Sequence, residues 1–89
     1  MSKLNALEEC FKNAIDCGMR YVAIKIETVG CKQPEIIINF RDNFEKKLSY
    51  YKKAYDEDLI LRSFKGIRII DFCCANSLDD IEGELILYC

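Results

Sequence analysis

The sequence predicts a single small α+β domain over residues 1–89, with elements in the order α-β-β-α-β-α and helices packed on one face of an antiparallel sheet. Three observations predict it. Apolar residues recur at helical spacing over residues 3–17 and 43–55, and at period two in the stretch between them. A further β-rich run, 67–74, follows a turn at Gly66. The length, 89 residues with 51% hydrophobic, allows one modest core and no second domain.

The first helix rests on Leu4, Leu7, Phe11, Ala14 and Ile15, which fall on one face of a 3.6-residue period. Ser2 is placed to cap it, and Gly18 to end it in a left-handed turn. Over 20–28 the period changes to two. Val22, Ile24, Ile26 and Thr28 point one way, and Tyr21, Ala23, Lys25 and Glu27 the other. Gly30 and Pro34 punctuate a turn, and 35–41 returns as the second strand of a hairpin. Ile36, Ile38 and Phe40 are expected on its core face, with Ile37 and Asn39 facing away.

Asp42 and Glu45 have capping-box spacing and predict a helix running to about Tyr55, its inner face made by Phe44, Leu48, Tyr51 and Tyr55. Asp56, Glu57 and Asp58 then put acids where the helix dipole disfavours them, so the chain stops or turns. Leu59-Ile60-Leu61 reads as a short strand or a further helical turn; as a strand it makes the sheet four-stranded rather than three-stranded. Residues 67–74 are the last clear strand. Asn76 and Ser77 cap a final helix whose apolar face is Leu78, Ile81, Leu85 and Tyr88, although Gly83 and the run Leu85-Ile86-Leu87 favour a strand over 84–89.

Several function classes are excluded by composition. No apolar run approaches the roughly 18 residues of a membrane helix. Acids at Glu8 and Glu9 interrupt the region where a signal peptide is apolar, so the expected location is the cytoplasm. Six cysteines (Cys10, Cys17, Cys31, Cys73, Cys74 and Cys89) are therefore not read as disulfides, and most of them are read as small hydrophobes in or near the core. With no Cys-x-x-Cys pair and no histidine, the usual zinc layouts are missing, and no metal or cofactor is expected. Residues with AT-rich codons (Phe, Tyr, Met, Ile, Asn, Lys) number 38 against 14 with GC-rich codons (Gly, Ala, Arg, Pro), which points to a low-GC bacterium or one of its phages or mobile elements.

Catalytic groupings are not apparent. A cysteine nucleophile usually takes a histidine base, and the chain has none. Cys31 beside Lys32 in a turn is the best exposed thiol, read as an unreactive loop cysteine. Cys73 and Cys74, adjacent on a strand, face opposite sides. Asp71 shares a face with Ile67, Ile69 and Cys73 on strict alternation, where an acid needs a partner. The expectation is a protein that is not an enzyme.

Two surfaces remain. The net charge of −2 divides into ten bases and seven acids over 1–54, and three bases and eight acids over 55–89. On the 43–55 helix, Lys46, Tyr50 and Lys53 lie opposite the apolar face, with Arg41, Lys47 and Lys52 near; lysines that meet phosphate and a tyrosine that stacks would suit a nucleic acid. Asp79, Asp80 and Glu84, joined by Asp56, Glu57 and Asp58, would suit a basic protein groove. An ordinary solvated face is the simpler account of each pattern. The favoured expectation is a binding protein acting through protein–protein contacts in a regulatory, inhibitory or accessory role, with nucleic-acid binding as the alternative. The apolar tail 85–89 is read as completing the core or packing on a second copy, as in a homodimer.

Overall fold

The structure, a computed structural model, describes residues 2–85, with the side chain of Glu84 excepted. The elements are α1 (Lys3–Asp16), β1 (Tyr21–Thr28), β2 (Glu35–Phe40), a 3-10 turn (Arg41–Asn43), α2 (Phe44–Ala54), β3 (Ile67–Ala75) and α3 (Leu78–Glu84). The α-β-β-α-β-α order is the expected one. Ser2 caps α1 through its hydroxyl, which accepts the Asn5 N–H at 3.1 Å, and Gly18 ends it at φ 69°. Asp42 does not cap α2. It lies in the 3-10 turn, and Asn43 holds the N-cap position without a side-chain bond.

Among the described residues the sheet has three antiparallel strands in the order β2-β1-β3. Leu59-Ile60-Leu61 adds no fourth strand and no helix. It contributes two isolated bridges, Tyr55 to Leu61 and Ile60 to Arg68. A tight turn limits it: Asp56 Oδ1 accepts the N–H groups of Asp58 and Ile60 at 2.9 and 3.0 Å, and Leu59 takes φ 64°.

Both faces of the sheet are covered. Leu7, Phe11 and Ala14 of α1 and Phe44 and Tyr51 of α2 pack on Val22, Ile24, Ile26 and Ile69, with Tyr55 and Leu59 closing the cluster. Helix α3 lies on the opposite face, where Ile81 and Leu85 pack with Ala23 and Ala75. The one-face expectation thus holds for α1 and α2, while α3 covers the other side. Small residues at positions 23 and 75 leave room for that helix. Leu78, expected on the inner face of α3, is 55% exposed. The expected positions of Tyr88 and the tail 86–89 lie outside the described residues.

The facing of β2 is the reverse of the expected one. Val22 pairs with Asn39 and Ile24 with Ile37, so Asn39 and Ile37 face the main core while Ile36 and Ile38 turn to the α3 side. Phe40 is 57% exposed against Tyr21, their rings edge-on at 5.7 Å. In β3 the register shifts: Ile26 pairs with Ile69 but Lys25 with Asp71, so Ile70 is an extra residue. The bulge carries Asp71 away from the core face that strict alternation assigns it, and it is exposed. Cys74 joins the main core and Cys73 the α3 side, as adjacent strand residues must.

Candidate protein-binding groove

Among the described residues β3 is an edge strand, and one end of its outer edge is already occupied. Leu61 N–H bonds to the Ile67 carbonyl, and Ile69 N–H to the Leu59 carbonyl, both at 2.9 Å. Alternate residues of an antiparallel strand serve opposite neighbours. Arg20 gives its carbonyl to Arg41 on the β2 side, so Tyr21, Ala23 and Lys25 serve β3. Their partners are Ala75, Cys73 and Asp71. The backbone groups of Phe72 and Cys74 therefore point away from the sheet. The Phe72 N–H bonds to Asp71 Oδ1 at 2.8 Å. The Phe72 carbonyl and both polar groups of Cys74 have no strand partner among the described residues.

A groove runs beside this edge. One cavity of about 600 Å³ lies between Lys3 and Ala6 of α1, the turn Asp58–Ile60 and residues Arg68 to Phe72 of β3. The next, about 520 Å³, shares Ala6 and Phe72 with it and adds Glu9, Cys10, Asn13, Cys73 and Cys74. A third, about 430 Å³, shares Cys74 and continues past Met19 to Asp79, Asp80 and Gly83 of α3. Neither β1 nor β2 lines any of them. Asp58, Asp79 and Asp80 of the expected acidic surface thus line adjoining cavities along this edge. Asp56 is committed to its turn, and Glu57 gives its carbonyl to the N–H of Leu4 at 3.2 Å. The side chain of Glu84 lies outside the described residues.

The Cys10 thiol of this groove is not activated. Burial, with smaller contributions from Cys74 and Cys73, pushes the Cys10 thiol up to about 12. Cys17 and Cys31 are exposed.

The basic residues on α2 divide into two kinds. Lys46, Tyr50 and Lys53 are exposed on one face, and Lys47 Nζ stands 5.9 Å from the centre of the Tyr50 ring. Arg41 is engaged in the fold, donating to the carbonyls of Gly18 at 2.8 Å and Met19 at 3.1 Å. Lys52 pairs with Glu8 at 2.9 Å and ties α2 to α1; that hydrogen bond holds the Glu8 carboxyl below its ordinary range.

The α1 side of the groove was not anticipated from sequence. Ala6, Glu9 and Cys10 carry no motif, and only the strand order brings them beside β3. No helix among the described residues is long and apolar enough to cross a membrane. No family model, curated protein or solved structure matches the chain.

Proposed function

We propose that this protein works by holding another protein, in a regulatory, inhibitory or accessory role in the cytoplasm, and not by catalysis. The carrying observation is the groove along β3, which joins an apolar floor, outward backbone groups and acidic walls. Peptide-binding domains use such edges because main-chain bonds supply affinity and neighbouring pockets supply selectivity.

Affinity capture with the tagged chain, with and without nuclease, tests this reading. A protein retained by the native chain and lost with Ala6→Arg, which fills the groove, supports it. No retained protein, or one held equally by Ala6→Arg, counts against the groove.

A second reading has its own observation: half-exposed Tyr50 stands among Lys46, Lys47 and Lys53. That face would hold single-stranded nucleic acid by stacking and phosphate contacts. Binding should weaken steeply with salt and disappear in Lys46→Glu/Lys53→Glu. Unchanged binding in that double variant removes this reading.

A further inference from the structure

We infer that the groove takes an extended, basic peptide segment that adds to β3 as a fourth strand. This rests on the protein-binding reading and names its partner class. The free stretch from Ile70 to Cys74 would span about 17 Å, at about 3.3 Å per residue, and so match a short strand rather than a folded surface. An added strand would find the Phe72 carbonyl and both polar groups of Cys74 turned toward it. Its alternate side chains would fall on the apolar floor near Ala6 and Phe72.

Charge selects the partner. Glu9, Asp58, Asp79 and Asp80 line the groove, and Asp71 stands on the strand edge itself. Against them stand Lys3, Arg68 and, across from Asp71 in the ladder, Lys25; Arg68 is paired with Glu27 at 2.8 Å. An incoming strand with Lys or Arg at its solvent-facing positions meets acids on both walls. A second copy of this chain does not fit. Antiparallel pairing of β3 with itself would bring the acidic walls of two copies together, and a pairing centred on Asp71 or Phe72 would also set two Asp71 carboxylates at opposite or diagonal positions, where like charges repel. An extended basic segment of another protein is the occupant.

The test selects binders from a library of short random peptides displayed against the full chain. The expected binders are rich in Lys or Arg and in β-branched residues. They should lose binding when alternate backbone amides are N-methylated, and should slow hydrogen exchange at the Cys74 amide. Asp79→Lys/Asp80→Lys should weaken them by about tenfold or more. Cys74→Pro removes one outward N–H at a position that gives none to β1, an edge site where proline is tolerated. It should abolish binding, with circular dichroism confirming the fold; the charge variant carries the test if that fold is lost. Selected peptides that are acidic, or that tolerate N-methylation, overturn the inference. So does a selection that yields no binder. If affinity capture still retains a protein that Ala6→Arg loses, strand addition alone has failed; if it retains none, the protein-binding reading has failed with it.

Discussion

Asn39 lies directly across from Val22 in the β1–β2 ladder, and its side-chain Nδ2 donates to the Val22 carbonyl oxygen at 3.1 Å inside the core. Only 2% of Asn39 is exposed, and its Oδ1 has no hydrogen-bond partner among the described residues. A half-satisfied buried amide costs more than an apolar residue of its volume. Asn39→Leu is therefore expected to be neutral or stabilising within about 1 kcal/mol. Asn39→Ala, which empties the site, should cost about 1–3 kcal/mol in urea unfolding. A silent Asn39→Ala would mean that this side chain faces solvent after all.

That residue also marks the limit of what the sequence shows. The two main helices were legible because their apolar spacing is regular, and the start and end of α1 because Ser2 and Gly18 do what their chemistry favours. The hairpin was legible from the change of period at Tyr21. The facing of β2 was not, because Ile36, Ile37 and Ile38 do not alternate, and a polar Asn39 suggested solvent. Its facing comes from the register with β1, a tertiary fact. The bulge at Ile70 likewise leaves no local mark. For the candidate surfaces, helical period alone located Lys46, Tyr50 and Lys53. The groove was hidden because it depends on which strand takes the edge and which helix lies beside it.

Phe11 is the centre of the main core. It is fully buried, edge-on to Phe44 at 5.8 Å and tilted against Tyr51 at 6.0 Å. Truncating a residue so enclosed removes both its transfer energy and its ring contacts. Phe11→Ala should cost about 3–5 kcal/mol, a large share of the roughly 5–15 kcal/mol that holds a small domain together. Tyr50→Ala, on the exposed side of the adjoining helix, should change stability by no more than about 0.5 kcal/mol. Comparing the two thermal unfolding midpoints checks that Phe11 of α1 lies in the core and that Tyr50 lies on the exposed face of α2.

Stability should fall in alkali. Burial raises the Cys10 thiol from 9.0 to about 12, raises the Tyr55 phenol from 10.0 to about 12, and raises Tyr51, for which the interaction with Asn39 partly offsets it. The unfolded chain loses these protons first, so above about pH 9 it binds fewer protons than the folded chain. Their stabilising contribution is complete below about pH 9 and declines as pH rises through the folded values. Urea midpoints measured from neutral pH upward should hold steady and then drop. Cys10→Ala should flatten the beginning of the drop, and Tyr55→Phe its later part. A profile unchanged by both variants would show that these groups titrate alike in the two states.

The carboxylate of Asp71 has a second consequence. It holds the outward N–H of Phe72 and places a negative charge on an open edge, and charged side chains on edge strands oppose pairing between copies. Asp71→Val removes both obstacles and puts a strand-favouring residue in their place. Apolar Ile70 and Phe72 flank the site, so the variant edge becomes continuous and uncharged from Ile69 to Cys74. The variant should keep its fold by circular dichroism yet self-associate at concentrations where the native chain does not, as read by sedimentation. Asp71→Lys should restore the native sedimentation behaviour, since a charge of either sign opposes self-pairing. If Asp71→Val sediments as the native chain does, Asp71 does not guard the edge, and self-pairing there must be opposed by the shape of the bulge instead.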